Sequence, residues 1–467
     1  MRASLFSFIT AVLVFPCVLN AQSTLTFARV LDPIDLPATG YVVVNPGVAT
    51  ASVLFRLHDS NGNLIQASTF AVPAGGQLAR LGSELFPGVQ LGGWVIATSA
   101  TSNLRGFWLG GDPGFATIAD GAEAAPVVSE FVLPIITSFS ELDVVNPTAD
   151  GQAFLIRLYG YEGQEITDPE VVDLPAMGAS KRTATSLFTP SDLNLASHAK
   201  ITCLTVCAGA ILVRDFLASP GLAIVNGVSS LSTTIDLNFA HIIQGTLSGL
   251  AYSTVVSITN LSPFTQTLTI RYSSDTAITP MIVQRDVPGS GTLRERLDTL
   301  FGFTTGFQNG WIRVTSEQPV AGIAIYAESV NRGVAVTPAL SRPTSELLLG
   351  HIADLNPWWT GIALLNPGVT DASVEIFAIR PDGGLIGRTL IIIPPGAKVA
   401  RLLSEWVSGT QPPLRTSDGG FVYVRSSVPL YGLQLFFRRD LRVLSNVPAF
   451  GLNAGEVFVP PAPPPNN

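Results

Sequence analysis

Residues 41–58 read YVVVNPGVATASVLFRLH, an apolar run that ends at Asn45 and is followed by an alternating segment. In that segment Val53, Phe55 and Leu57 are apolar and are separated by residues of mixed character. Alternation with a period of two is typical of a β-strand with one buried face and one face towards solvent. The stretch therefore predicts a half-buried strand shortly after the asparagine turn.

The same pattern recurs three more times along the chain. An apolar run ends in Asn146, Asn260 and Asn366, at intervals of roughly a hundred residues. In every copy the eighth, tenth and twelfth residues after the asparagine are apolar, whereas the eleventh is arginine in three copies and Phe377 in the fourth. The twelve apolar positions are Val53, Phe55, Leu57, Phe154, Ile156, Leu158, Leu268, Ile270, Tyr272, Val374, Ile376 and Ala378. An internal repeat of this length predicts one small domain per copy.

Further sequence features recur at equivalent positions in each copy. An opening strand is predicted at residues 27–32, 131–136, 239–244 and 349–354, and turns rich in Asn, Asp and Gly follow the alternating strand. A closing hairpin is predicted around Gly106, Gly209, Gly322 and Gly432. The links are too short for the helical crossovers that a parallel α/β sheet needs. We therefore predict an all-β fold of four tandem β-sandwich repeats with about seven strands each.

The domain bounds follow from these landmarks. The predicted repeats span residues 25–116, 130–227, 237–336 and 347–451. The segments 117–129, 228–236 and 337–346 are predicted to be linkers. Residues 1–21 are predicted to be a signal peptide, and residues 458–467 a proline-rich tail.

Several short motifs accompany the repeat. They are the FAHII and LGHIA openings, a Trp-Trp-Thr-Gly segment, an apolar run into Asn-Pro-Gly, an Asp-Gly hairpin, an Arg-Leu-x-Ser-Glu segment and a final apolar-Gly-apolar strand. Together they resemble the tandem, immunoglobulin-like β-sandwich repeats of secreted bacterial proteins, most of which are uncharacterised. The resemblance covers residues 25–451 and implies a fold but no substrate. The second copy departs most, because it lacks both the opening His or Arg and the final Pro-Gly of the asparagine motif.

The beginning of the sequence predicts export. Met1 and Arg2 precede an apolar run from Leu5 to Val14, and a small residue, Ala21, stands where cleavage is expected. The apolar run is shorter than the roughly 20 residues that span a bilayer, so we expect no stable transmembrane anchor. The mature protein is expected to be secreted, or periplasmic or held at the cell surface.

Charge and motif content exclude several classes of function. Acidic residues outnumber basic ones by 34 to 26, which leaves no positive field for nucleic acid. The histidines show no metal-ligand spacing, and motifs for nucleophilic catalysis are missing. The four histidines are His58, His198, His241 and His351, and we predict packing or capping roles for them. We therefore predict no catalytic, metal-binding or cofactor-binding residues and no cofactor.

Tryptophans offer a sharper hypothesis. Trp94 and Trp311 follow glycine at the start of equivalent strands and are predicted to pack against the opposite sheet. Trp358 and Trp359 are predicted to lie in a loop, where paired aromatic side chains stack on sugar rings or anchor a protein partner. Packing over the open end of the sandwich is the alternative for this pair.

Two cysteines remain after the predicted leader. On one straight strand, Cys203 and Cys207 would lie about 13 Å apart at about 3.3 Å per residue, which is too far for a disulfide. Alignment of Gly209 with later copies places proline-containing turns between the equivalent positions. We therefore predict a disulfide across a hairpin. Two buried thiols are the alternative.

The function expected from the sequence is that of an extracellular structural or adhesive repeat protein without catalysis. Serial sandwiches serve as spacers or interaction surfaces and need no special residues. The expected partner is an extracellular protein or polysaccharide. Two alternatives stay open, an array of glycan-binding modules and a hydrolase whose paired carboxylates cannot be recognised from sequence.

Overall fold

The computed structural model describes residues 22–214, 221–275, 279–304, 306–329, 333–353, 357–407, 419–452, 456 and 458–460. The predicted signal peptide and most of the predicted tail lie outside these residues. The strands fall into four successive repeats, each with two packed sheets, and all of their pairings are antiparallel. The predicted all-β fold of tandem sandwiches is confirmed.

The first repeat contains eight strands. They are β1 (Ser23–Leu31), β2 (Thr39–Val44), β3 (Ala51–His58), β4 (Leu64–Val72), β5 (Gln77–Leu81), β6 (Gly93–Ser99), β7 (Arg105–Gly111) and β8 (Ala119–Glu123). One sheet has the order β1-β6-β3-β4 and the other β5-β2-β7-β8. A helical turn, α1 (Gly82–Leu85), and two 3₁₀ turns, Leu36–Ala38 and Pro113–Phe115, complete the repeat.

The second repeat resembles the first, except that one long strand takes the place of two. Its strands are β9 (Val128–Leu133), β10 (Ser140–Val145), β11 (Gln152–Gly160), β12 (Glu170–Leu174), β13 (Ala179–Thr183), β14 (Ala196–Arg214), β15 (Leu222–Asn226) and the short β16 (Val228–Ser229). Two helical turns, α2 (Ala184–Leu187) and α3 (Pro190–Leu195), lie between β13 and β14. The long strand β14 belongs to both sheets, pairing with β9 and β11 in one and with β10 and β15 in the other.

The third repeat again divides into two sheets. Its strands are β17 (Asp236–Leu247), β18 (Leu250–Asn260), β19 (Gln266–Ser274), β20 (Met281–Val287), β21 (Thr292–Arg296), β22 (Gln308–Thr315), β23 (Val320–Glu328) and β24 (Val334–Pro338). The sheets are β17-β22-β19-β20 and β21-β18-β23-β24, and they are joined where the end of β17 pairs with the start of β18. The helical turn α4 (Leu297–Phe301) follows β21.

The fourth repeat completes the series. Its strands are β25 (Thr344–Leu349), β26 (Trp358–Leu365), β27 (Ala372–Ile379), β28 (Leu385–Ile393), β29 (Lys398–Leu402), β30 (Phe421–Arg438), β31 (Leu444–Pro448) and β32 (Phe450–Gly451), with α5 (Leu403–Trp406) after β29. As in the second repeat, one long strand, β30, pairs in both sheets.

The alternating positions form the centre of each sandwich. All twelve are at most 2 % exposed, as the period of two predicts. The exception on the outer face, Phe377, is also buried, in a cluster with residues of the first repeat. Its departure from arginine therefore reflects a contact between repeats.

The recurring asparagine is a buried structural bridge. The Asn45 amide nitrogen donates to the carbonyls of Ala49, Val72 and Pro73 at 2.9 to 3.1 Å, and its oxygen accepts from the N–H of Gly47. Asn146, Asn260 and Asn366 make the equivalent bonds in the other repeats. A buried amide with satisfied donors and acceptor fixes the two loops against each other, which explains why the motif recurs.

The predicted closing hairpins are wrong. Gly106, Gly209, Gly322 and Gly432 lie inside strands rather than at turns. A Cβ at Gly209 would come within 2.5 Å of the Phe131 ring, and one at Gly106 within 2.9 Å of Leu25. Glycine recurs because a side chain of the opening strand packs directly on the backbone there.

Near the end of each repeat lies a strand that the sequence analysis did not predict. We call β8, β15, β24 and β31 the closing strands. β8 lies in the segment 117–129 that was predicted to be a linker, because Ala-Asp-Gly-Ala-Glu has neither apolar alternation nor β-branched residues. In space β8 packs on β15, β15 on β24, β24 on β31, and β31 back on β8. The four sandwiches therefore form a closed ring around their closing strands.

Neighbouring repeats share apolar side chains at every joint of the ring. The first and second repeats meet at Trp94 and Val145, and the second and third at Val225 and Val336. The third and fourth meet at Trp311 and Tyr431, and the fourth and first at Phe436 and Phe107. The predicted packing of Trp94 and Trp311 within a sandwich is thus corrected. Both are buried between repeats, and their indole N–H groups donate to the carbonyls of Met177 and Gly396 in the next repeat, at 2.9 and 3.1 Å.

Candidate functional site

The fourth repeat closes the ring on the first. The Gln77 side chain at the start of β5 donates to the carbonyl of Gly420 at 2.9 Å, and its oxygen accepts from the Gly420 N–H at 3.0 Å. The same amide also bonds to the carbonyl of Gly350. Arg105 of the first repeat forms an ion pair with Glu456 at 2.8 Å. These contacts position two sheets against each other and leave a cleft beside them.

An aromatic cleft of about 320 Å³ lies at this junction. We call it the junction cleft. Its walls come from β2, β5 and β7 of the first repeat and from residues near β25, β26 and β30 of the fourth. The aromatic lining residues are Tyr41, Phe107, Phe115, His351, Trp358 and Phe436. A concave, mostly apolar site of this size suits a small ligand or a projecting side chain.

Trp358 is the predicted contact residue that the structure places in the cleft. It is half-buried, so part of its indole is open to a ligand. The predicted loop position is wrong, because Trp358 is the first residue of β26 and pairs with Arg438. Pairing with β30 at the start of a strand that lies between β29 and β30, rather than a free loop, therefore holds Trp358 in place.

Trp359 does not lie with Trp358. Successive residues of a strand point to opposite faces, and Trp359 packs edge-on against Phe437 with 5.6 Å between ring centres. The Arg439 guanidinium lies 5.1 Å from the centre of its ring. The two tryptophans therefore do not form one aromatic platform, and the hypothesis of a contact site narrows to Trp358.

Charged groups stand at the rim of the cleft. Arg80 and Glu84 are both exposed there. The Glu84 carboxylate also accepts the backbone N–H of Leu81 at 2.8 Å, which caps α1 and explains the recurring Arg-Leu-x-Ser-Glu segment. Deeper in the cleft, burial lowers the pKa of His351 to about 4, so its imidazole is neutral at pH 7.

Phe115 brings backbone strain to the cleft. Its φ of 49° lies in the left-handed region, which bulky side chains rarely adopt. The residue sits in the 3₁₀ turn Pro113–Phe115 and presents a half-buried ring to the cleft. Such strain persists where surrounding structure enforces it and is frequent at binding sites.

The histidines are distributed over the joints. His198 contacts Thr292 of the third repeat, His241 contacts Lys398 of the fourth, and His351 contacts Gln77 of the first, while His58 stacks on Trp94. Among the described residues no group of three or more His, Cys, Asp or Glu side chains is placed to hold a metal ion. The predicted packing roles agree with these contacts.

Cys203 and Cys207 are joined as a disulfide, with 6.2 Å between their Cα atoms. The expected hairpin is wrong, because both cysteines lie within the continuous strand β14. Cys203 pairs with Phe154 and Cys207 with Val128, and the register shifts between them. The disulfide therefore spans the irregular stretch where β14 passes from one sheet to the other.

Sequence reasoning missed the partners of Trp358. Phe107 and Phe436 belong to strands that are apolar on both faces, as in Gly-Phe-Trp-Leu-Gly at 106–110. A continuous apolar run is the signal of a strand that is buried on both sides. That signal would have indicated a second packing surface, although not which repeat covers it.

In the part of the chain that the structure describes, no helix has the length and apolar character needed to cross a membrane. No protein-family model and no curated protein matches the chain. The crystal structure of Thermotoga maritima 1070 covers 24% of this chain and 96% of its own, with 18% identity and a TM-score of 0.21. A tetra-tandem repeat from the extending region of a large adhesion protein covers 93% and 99%, with 11% identity and a TM-score of 0.12. Neither likeness is close enough to support a conclusion about function.

Proposed function

We propose that the protein is an extracellular structural or adhesive protein without catalytic activity, which binds its partner through the junction cleft. The predicted leader supports export. The partner would be an extracellular protein or a polysaccharide. The four sandwiches would act as one rigid body rather than as a flexible series.

Closure of the ring is the observation that carries this proposal. In an extended spacer the first and last repeats would be far apart, whereas here Phe107 and Phe436 stack with 6.3 Å between ring centres. The junction cleft exists only because these two repeats meet. A cleft built from the first and last repeats supports a role in binding a partner better than it supports a role as a spacer.

A glycan is the second candidate for the occupant of the cleft. Trp358 offers an aromatic face for the apolar side of a sugar ring, and Arg80 and Glu84 offer a donor and an acceptor at the rim. This combination of one ring and a few polar groups supports a glycan more directly than it supports a large protein surface.

The hydrolase alternative receives less support. Glycoside hydrolysis by paired carboxylates needs two of them facing one bond, and Glu84 is the one carboxylate among the described lining residues. That lining also holds no serine, threonine or cysteine to act as a nucleophile.

The proposal is tested with the full-length chain on arrays of glycans and of extracellular proteins. We expect binding that Trp358→Ala weakens by about tenfold or more, since tenfold corresponds to about 1.4 kcal/mol and a central aromatic contact contributes about 2 kcal/mol. Trp359→Ala is the matched control, because it removes the same side chain from the adjacent position on the opposite face. Far-UV circular dichroism and thermal melting verify that both variants fold.

Each outcome decides a part of the proposal. Binding that falls with Trp358→Ala and persists with Trp359→Ala supports the cleft, and the class of array identifies the partner. An intact protein that binds nothing on either array contradicts an adhesive role. Turnover of a bound glycan by the purified chain would contradict the absence of catalysis.

A further inference from the structure

One buried lysine reaches across the joint between the third and fourth repeats. Lys398 is the first residue of β29, and its side chain is 0 % exposed. Its Nζ lies 3.2 Å from Oδ2 of Asp275 and 3.0 Å from Nδ1 of His241, both in the third repeat. The same Nζ lies 2.6 Å from Oδ1 of Asn309 and 3.1 Å from the carbonyl oxygen of Gly310. The nearest of these partners is therefore a side-chain carboxamide of the neighbouring repeat.

Asp275 and Asn309 meet this lysine from neighbouring strands of one sheet. Ser274, the last residue of β19, pairs with Gly310 of β22, so Asp275 and Asn309 form the next pair along the two chains. The N–H of Asp275 donates to the carbonyl oxygen of Asn309 at 3.0 Å. Directly paired residues have Cβ atoms about 4.5 to 5.5 Å apart, within reach of each other's side chains. The backbone as well as the side chains therefore holds a carboxyl group, a carboxamide and an amine together.

The other repeats form their joints without a lysine at this position. The residue that pairs with the one before the recurring asparagine is, in chain order, Gln77, Ala179, Thr292 and Lys398. Gln77 makes neutral hydrogen bonds to Gly420 at the joint between the first and fourth repeats. Gly420 stands there in the place of Gly310, since each lies opposite the isoleucine that follows the joint histidine, and Gly419 stands in the place of Asn309. A buried amine costs free energy that a neutral side chain avoids, so packing alone does not account for this lysine and asparagine.

The surroundings of Lys398 favour a reactive amine. Burial lowers its pKa to about 8, although Asp275 opposes the shift, so a fraction of the amine is neutral and nucleophilic near neutral pH. Burial also raises the pKa of Asp275, which favours a carboxyl group that carries a proton. Reacting groups held in contact behave as if each were present at about 10⁵ to 10⁸ M. The joint therefore combines a nucleophile, an acyl group and a proton carrier in fixed contact.

We propose that Lys398 and Asn309 form an isopeptide bond, an amide between their side chains that joins the third and fourth repeats covalently. The neutral Nζ attacks Cγ of Asn309, the Nζ–Cγ bond forms and the Cγ–Nδ2 bond breaks. The Asp275 carboxyl group gives a proton to Nδ2 and takes one from Nζ, so it ends unchanged and Nδ2 leaves as ammonia. An amine and a carboxamide become one amide and one ammonia, and no oxidant or further reactant is needed. The bond is independent of any partner at the junction cleft, because none of the three residues lines that cleft.

The experiment is mass spectrometry of the full chain, first intact under denaturing conditions and then after digestion with trypsin. The intact native chain should be lighter by one ammonia than its sequence requires. Trypsin should release residues 297–313 and 389–401 as one branched peptide, because an acylated Lys398 is no longer a cleavage site. Lys398→Met and Asn309→Ala should show neither the mass loss nor the branched peptide. Ammonia lost elsewhere in the chain is lost from these variants as well, so the comparison cancels it.

Two further variants separate the bond from a general effect of substitution. Lys200→Met is the matched control, because Lys200 forms an ion pair with Glu130 at 2.8 Å within the second repeat, and it should keep the bond. Asp275→Asn preserves the size of the side chain and removes the proton carrier. It should leave most of the chain unjoined, since acid–base catalysis contributes about a hundredfold or more to such steps. Thermal melting verifies that each variant folds.

The native chain alone decides the main point, whether or not any variant folds. A mass equal to that of the sequence, with a separate peptide that ends at Lys398, would overturn the proposal. A branched peptide that persists in Asn309→Ala would show that Lys398 is joined to another residue and would also overturn it. Undiminished joining in Asp275→Asn would contradict the role of Asp275 as proton carrier.

Discussion

Asp120 of the first repeat accepts a hydrogen bond from the backbone N–H of Ile224 in the second, with 2.8 Å between Oδ2 and N. Its other oxygen accepts the Ser445 hydroxyl of the fourth repeat at 2.9 Å. The N–H of Val336 in the third repeat donates to the same carboxyl. One fully buried side chain therefore links the closing strands of all four repeats.

The Asp120 carboxyl makes ring stability depend on pH. Burial raises its pKa from 3.8 to about 8, so between these values the folded protein holds a proton that the unfolded chain has released. Stability contributed by this group is therefore greatest below about pH 4 and is lost as pH rises towards 8. We expect the free energy of unfolding of the native chain, relative to Asp120→Asn, to decline across that window in urea titrations.

The control for this pH dependence is Asp173→Asn on the exposed face of β12. Its free energy of unfolding should follow that of the native chain at every pH. Parallel curves for the native chain and Asp120→Asn would show that the Asp120 carboxyl keeps an ordinary pKa.

The asparagine bridge should matter for stability in each repeat. Asn45→Ala leaves the carbonyls of Ala49, Val72 and Pro73 without their shared donor inside the fold. We expect a loss of about 3 kcal/mol, because several buried groups lose partners at once. Asn61→Ala in an exposed turn should change stability by less than about 0.5 kcal/mol. Equal melting curves for the two variants would contradict a structural role for Asn45.

The periodicity of the sequence was sufficient to predict the four sandwiches, but it was not sufficient to predict that they form a ring. Alternation in the sequence correctly predicted the buried faces of β3, β11, β19 and β27. Successive side chains of a strand point to opposite faces, so a strand with one face in the core shows an apolar residue at every second position. β8 carries Asp120 within Ala-Asp-Gly-Ala-Glu, a composition typical of a turn. Its strand conformation depends on neighbours from other repeats, which local propensity does not encode.

Only part of the candidate site could be predicted, because its residues come from repeats that are distant in the sequence. An aromatic pair at Trp358 and Trp359 indicated a contact surface, but alternation along β26 separates the two rings. Phe107, which lines the same cleft from the first repeat, lies more than two hundred residues before Trp358 in the sequence. Only closure of the ring brings them to one cleft.

His351 should make the stability of the joint between the fourth and first repeats depend on acid pH. Burial lowers its pKa from 6.5 to about 4, so below pH 6.5 the unfolded chain takes up a proton that the folded protein refuses. Stability therefore falls as pH drops from about 6.5 to about 4 and then levels off, the opposite sign to Asp120. Urea titrations measure the free energy of unfolding across this pH window. We expect its decrease to be smaller in His351→Gln than in the native chain, by on the order of 2 kcal/mol. Identical acid slopes would contradict this.

The disulfide should stabilise the protein only modestly. Cys203 and Cys207 close a very small loop, so their bond lowers the conformational entropy of the unfolded chain only a little. The resulting stabilisation is below the roughly 3 kcal/mol expected for a 15-residue loop. β30 follows the same path with Ser426 and Leu430 at the equivalent positions, so the strand crossing does not require a disulfide. We expect the double change to Ala to lower the free energy of unfolding by about 1 to 2 kcal/mol. Two free thiols titrated in denatured, unreduced protein would refute the bond.

The ring should unfold as one cooperative unit. Each joint places side chains of two repeats in a shared apolar cluster, so the loss of one repeat exposes buried surface on its neighbours. Phe107→Asp puts an uncompensated charge into the joint between the fourth and first repeats, where Phe107 is 1 % exposed. We expect calorimetry to show a single transition for the native chain, and for this variant a single transition at a lower Tm. Val369→Asp, at a side chain that is 91 % exposed, is the control and should melt like the native chain. Four separate transitions in the native chain, or a Phe107→Asp variant in which only the first repeat melts early, would show that the repeats fold independently despite their contacts.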